Sequence, residues 1–136
     1  MNKKYELLRD DTFKVFGIKL YRIRALKSFG NVKKGDLGGY VESESNLSHE
    51  GNCWVSDDAK VYDDGLVSGN ARVSGNACVS DDAWVSDNAW VSGNARVSGD
   101  ACVSDNARVS GNAWVYDHAM VCGKDHVFGY ARVHER

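Results

Sequence analysis

The 136 residues contain no proline. No rigid linker therefore divides the chain, and a single domain is expected at this length. Long apolar runs are also missing. None approaches the ~20 residues that span a bilayer, and Met1-Asn2-Lys3-Lys4-Tyr5-Glu6 has no apolar signal core behind it. The expected location is the cytoplasm, with no membrane partner. The four cysteines and four histidines form no CxxC or HxxxH pair, so no metal site is assigned. What the chain has in quantity is valine at a fixed interval. It recurs at every sixth position from Val55 to Val133 without a miss.

Around each valine the unit reads Ala-x-Val-Ser-(Gly/Asp)-(Asn/Asp), as in Ala71-Arg72-Val73-Ser74-Gly75-Asn76. A helical face would repeat every 3.6 residues and a plain strand every two, and neither gives six. A short repeat sustained over most of a chain is the pattern of a solenoid. Valine is β-branched and suits a strand. Its two neighbours must point the opposite way. Gly, Asn and Asp then tolerate the left-handed backbone of a tight corner. The register also extends upstream. Val41 to Leu47 is another step of six, and Leu47 to Val55 is eight, which places His49 and Glu50 in a corner bulge.

The unit resembles the hexapeptide repeat of left-handed parallel β-helices, in which an aliphatic residue and a small residue four positions later fill a triangular prism. Val73 with Ala77, and Val91 with Ala95, match that pair. The resemblance implies an all-β, left-handed parallel β-helix over residues 41–136, three hexads to a coil, and side-by-side homotrimers. Residues 1–40 are read as a basic N-terminal β cap and entry segment. Tyr5 to Leu8 and Phe13 to Leu26 are apolar with interleaved cations, and Asp10-Asp11 is the turn candidate between them. A solenoid end needs such a β-hairpin cap over its open core. Charge follows the same division. Residues 1–36 carry ten Lys and Arg against four Asp and Glu, and residues 37–136 carry seven against fifteen. Basic edge strands are ordinary, so nucleic acid is not the expected partner.

Residues eighteen apart stack, which gives three outward faces. The first carries Trp54, Arg72, Trp90, Arg108 and His126; the second Lys60, Cys78, Arg96, Trp114 and Arg132; the third Leu66, Trp84, Cys102 and Met120. Alternating rings and guanidinium groups on the first face suit a planar anion such as a nucleotide. The third face has no charge in its ladder. It is either covered by the hairpin or is the face through which copies associate. Cys53 fills an inward Ala slot. Cys102 and Cys122 share a face at an offset that puts their Cα atoms roughly 8 Å apart, beyond disulfide reach, so four free thiols are expected. One corner ladder, Asp63-Asp64, Asp81-Asp82, Gly99-Asp100 and Asp117-His118, is acidic; Asp is also an ordinary corner former.

The Gly-rich entry Phe29 to Tyr40, followed by Asn46-Leu47-Ser48 and Gly51-Asn52-Cys53-Trp54-Val55, resembles short phage and bacterial hexapeptide-repeat proteins of acyltransferase-like type. That resemblance implies a histidine base and an acetyl-CoA or other acyl-CoA substrate in an inter-subunit groove. His49, beside Glu50, is the candidate base; His118, His126 and His134 are read as surface residues. No long loop leaves the prism and no helix follows the coils. The sequence therefore favours a non-catalytic binding or scaffold solenoid, with an acyl-CoA-dependent acyltransferase as the alternative. Near the end, Asp125 takes an inward Ala slot, and Phe128 and Tyr130 replace Ser and Asn. This degradation predicts a C-terminal cap; the alternative is a site formed by Asp125 with His126.

Overall fold

The computed structural model describes residues 3–15 and 17–134. The repeat folds as its chemistry dictates. Each hexad contributes one two-residue strand, an outward residue followed by the valine, from β4 (Trp54–Val55) to β17 (Arg132–Val133). These strands stack in parallel at steps of eighteen residues, for example Arg72, Trp90 and Arg108 in one ladder. The result is a parallel β-helix of about five coils whose three sheets carry the three outward ladders. Apart from one 3-10 turn at Glu44–Asn46, the described residues hold no helix.

The corners explain the Gly/Asp alternation. From Val55 to Val127 the residue two after each repeat valine adopts the left-handed region: Asp57, Asp63, Asp81, Asp87, Asp105 and Asp117 at φ 56–58°, the glycines from Gly69 to Gly129 at 62–66°. Only Gly takes that conformation freely, with Asp and Asn next. The coils also approach closely at the corners. A Cβ on Gly93 would lie 2.9 Å from the backbone of Gly111. Each coil donates its corner and strand N–H groups to the next, as in Arg72 N to Ala89 O at 3.0 Å and Asn76 N to Gly93 O at 2.8 Å. The valine and alanine columns fill the prism and are buried from Val55 to Val121.

The N-terminal end is closed by an antiparallel hairpin, β1 (Tyr5–Val15) and β2 (Ile18–Ala25), followed by β3 (Leu37–Val41). The reversal lies between Val15 and Ile18, where Gly17 has φ 81°. Asp10-Asp11 is not the turn. It sits at a register shift inside β1, where Asp11 pairs with Arg22 at 3.1 Å. A bulge needs turn-tolerant residues as much as a turn does, and the pattern alone does not separate the two. β2 pairs with β3, and β3 runs parallel to Lys60–Val61, so the hairpin extends the second sheet. Its inner side (Tyr5, Ile23, Ala25) joins the prism core. The tip folds over the second face, with Phe13 5.7 Å from the Tyr40 ring and Lys60 Nζ 4.5 Å from the Phe13 ring. The third face is therefore not covered by the hairpin.

The C-terminal end has no lid among the described residues. Phe128 and Tyr130 are 64% and 83% exposed. Asp125 is exposed although it occupies an inward slot, because nothing described lies below it. The expected cap is absent there. Among the described residues the Asp125 carboxylate is exposed and so avoids the cost of burial.

Candidate functional site

The first face forms a groove whose upper wall is a loop that the repeat pattern could not supply. After β2 the chain makes a tight Phe29–Val32 bridge and returns to β3. The loop places Asn31, Val32, Asp36 and Leu37 opposite Ser56, Arg72, Ser74 and Trp90, around a cavity of about 340 Å³. The Asp36 carboxylate turns toward its own loop and accepts the Lys33 N–H at 2.9 Å. Below it, Trp90, Ser92, Arg108, Ser110 and His126 line a second hollow of about 300 Å³. Trp90 belongs to both and is 40% exposed. Its ring carries the Arg108 guanidinium at 4.8 Å, a cation–π contact between adjacent coils.

Trp54 heads this ladder beside Arg72 and lines the upper cavity. It is buried, with Phe29 edge-on at 5.4 Å and Tyr5 at 6.3 Å. The cap packs on most of the ring, so only its edge reaches the cavity wall. The apolar Phe29 and Val32 in an otherwise polar loop were the available signal. His126 is exposed in the lower hollow, edge-on to Phe128 at 5.6 Å.

His49 is a structural pin. Its Nδ1 accepts the Lys4 N–H at 3.0 Å, and its Nε2 lies 2.9 Å from Glu44 Oε1. The ring stacks on Tyr5 at 4.2 Å. A nitrogen that accepts a backbone N–H forces the proton onto the other nitrogen, which donates to Glu44. In this arrangement the Nδ1 lone pair is occupied by the Lys4 N–H. Its partner is Glu44 rather than the adjacent Glu50. Lys3 and His49 hold the Glu44 carboxyl below the usual range through hydrogen bonds. His118 Nδ1 lies 3.2 Å from Asp100 Oδ2, and His134 stacks on Tyr116 at 5.1 Å.

The acidic corner ladder is present as an open edge from Glu42 to Asp100. Several of its carboxylates serve the next coil. Glu42 Oε1 accepts the Asp63 N–H at 2.7 Å and Asp81 Oδ2 accepts that of Gly99 at 3.0 Å. Asp82 is held above the usual carboxylate range by local desolvation and then by Asp100 and Asp64. On the third face, Trp84 and Met120 are 47% and 69% exposed, and Leu66 and Cys102 are half-buried. The Trp84 indole N–H donates to Ser68 Oγ at 2.9 Å, so its ring lies along the sheet. All four cysteines are free thiols. No described helix is long and apolar enough to cross a membrane.

The repeat matches the family model described as YdcK Beta solenoid repeat at residues 67–81, 71–87, 89–104 and 101–117. A relative from Escherichia coli (strain K12), named "Uncharacterized acetyltransferase YdcK", is 37% identical over 57 residues. That stretch covers 41% of this chain and 18% of the relative. Repeat match and coordinates agree on a parallel β-helix repeat protein, distantly similar to an uncharacterised acetyltransferase.

Proposed function

We propose that this chain is a non-catalytic binding solenoid whose first-face groove takes a planar, anionic ligand of nucleotide type. One observation carries the reading: Trp90 stands between two hollows, with Arg72 in the upper one and Arg108 on its ring in the lower. A base stacks on the free side of Trp90 and a phosphate pairs with Arg72, while Ser56 and Ser74 offer hydroxyls to either. Arg108 already packs on the Trp90 ring before the ligand arrives, which lowers the entropic cost of ordering that ring on binding.

The similarity to a protein named as an acetyltransferase supports the alternative, an acyl-CoA-dependent acyltransferase. The histidine proposed as its base is His49, and the hydrogen bonds on both of its nitrogens weigh against that role. Calorimetry with ADP and with acetyl-CoA, together with an acetyl-CoA consumption assay, tests both readings. ADP is expected to bind. Arg72→Ala should weaken it by roughly 1.5–3 kcal/mol, the worth of a hydrogen bond to a charged group. Trp90→Ala should cost about 1–3 kcal/mol of stacking. Failure of both probes to bind, or binding indifferent to both changes, would overturn the groove. Acetyl-CoA turnover abolished by His49→Ala would establish the enzyme instead.

A further inference from the structure

Beneath the cap lie an amine and a thiol that the groove does not use. Lys4 and Cys53 are both fully buried. Lys4 Nζ lies 2.7 Å from Cys53 O, 3.3 Å from Gly51 O and 3.3 Å from Cys53 Sγ. The Phe29 ring closes the remaining side at 4.7 Å. No carboxylate among the described residues faces the amine. A buried lysine without an anionic partner is costly as the ammonium ion. Burial lowers the Lys4 pKa and raises that of Cys53, so both directions favour a neutral amine facing a thiol. The two carbonyls then take the two amine N–H groups, and the thiol, 3.3 Å from the nitrogen, has the Ser48 carbonyl at 3.4 Å as its own acceptor.

We propose that Lys4 and Cys53 form an oxidative modification site, in which a peroxide links the lysine nitrogen to the cysteine sulfur and locks the cap onto the first coil. The peroxide first transfers one oxygen to sulfur, giving the sulfenic acid and water. The sulfur is then electrophilic. The Lys4 amine attacks it, an S–N bond forms, the S–O bond breaks, and the hydroxyl leaves as a second water with a proton from nitrogen. One thiol, one amine and one hydrogen peroxide give one sulfenamide and two waters. Sulfur is oxidised by two electrons and the peroxide is reduced by two. The buried neutral thiol does not react, so oxidation proceeds from a locally opened state in which Cys53 reaches water and can ionise; the pair lies beside Glu50, Gly51 and Asn52, which are exposed.

The other cysteines serve as controls within the same chain. Cys78 is the ladder neighbour of Lys60, but Lys60 Nζ is turned to Asp58 O at 3.0 Å and to the Phe13 ring. Cys122 is exposed and Cys102 half-buried on outer surfaces. The experiment therefore uses the full chain with Cys78, Cys102 and Cys122 changed to Ser, treated with hydrogen peroxide and digested with trypsin. The expected product is a linked peptide joining residues 4 and 53, about 2 Da lighter than its parts through loss of two hydrogens. Cleavage after Lys4 should be lost, and dithiothreitol should restore it. Cys53→Ala, which returns the repeat's own residue to that slot, should abolish the product, as should Lys4→Met. The readout on the unaltered pair stands alone if Lys4→Met does not fold. Cys53 trapped only as sulfenic or sulfinic acid with Lys4 still cleaved would overturn the proposal, as would an unreacted Cys53. A linked peptide about 14 Da heavier than the reduced pair, with oxygen retained between nitrogen and sulfur, would overturn the condensation step.

Discussion

The two ends of this solenoid differ, and the same substitution placed at two depths measures the difference. Val91 is fully buried, with Val73 and Val109 stacked against it in adjacent coils. Val91→Ala removes two methyl groups, worth about 0.8 kcal/mol each in transfer. The coils cannot close the gap, because backbone hydrogen bonds fix their separation, as in Ser74 N to Val91 O and Ser92 N to Val109 O at 2.9 and 2.8 Å. A residual void of roughly 40 Å³ at about 24 cal/mol per Å³ adds roughly 1 kcal/mol. The expected cost is therefore about 2–3 kcal/mol. Val127 occupies the same column two coils on, paired with Val109 on one side and only partly buried. There Val→Ala opens no enclosed void, and about 0.5–1 kcal/mol is expected. Urea unfolding followed by far-ultraviolet circular dichroism measures both, and hydrogen exchange locates the weakened coil, since repeat arrays lose strict two-state behaviour. Equal costs at the two positions would refute the reasoning. The last coil would then have to be covered in solution.

Most of the architecture was legible because six residues carry a complete instruction: a strand pair, an inward small residue and a left-handed corner. Nothing non-local is needed to read Val73 and Ala77 as inward or Arg72 as outward, because each coil meets only its neighbours. The cap was less legible because its contacts are long-range. Tyr5 reaches Leu47 and Glu44, and Lys4 reaches Cys53, through pairings that no period announces. Trp54 shows the consequence. By register it belongs to the first ladder with Arg72 and Trp90, and only the fold of the Phe29–Val32 loop makes it core. Asp10-Asp11 and His49-Glu50 show the second limit. Both were recognised as irregular, but which neighbour each side chain finds depends on where another segment lies. Asp11 finds Arg22, and His49 finds Glu44.

Trp84→Glu with Met120→Glu tests the third face. Light scattering should show a drop in mass to the monomer if copies associate there, and the parent mass would exclude that face. Val91→Asp buries a carboxylate among apolar rungs and should abolish folding; cooperative melting at the parent temperature would show that the valines do not point inward. The cap has its own alkaline limit, set by Tyr5. Its phenol is fully buried and donates to Leu47 O at 2.6 Å, and desolvation, followed by Glu44 and Cys53, raises its pKa well above the ordinary 10.0. The folded state therefore holds the phenolic proton more tightly than the unfolded chain. Stability from this group is complete below pH 10 and falls above it, as the unfolded chain ionises and the folded one does not. Lys4 acts in the opposite sense, because its lowered pKa makes folding more favourable with rising pH, but only up to its ordinary 10.5. Above pH 10.5 Lys4 no longer offsets the Tyr5 loss, and the Cys53 thiol and Tyr62 phenol, both raised by burial, add losses of the same sign that Tyr5→Phe leaves in place. Thermal melts between pH 10.5 and 11.5 should fall steeply for the parent and less steeply for Tyr5→Phe, which cannot ionise. Equal slopes would mean that Tyr5 is not held under the cap.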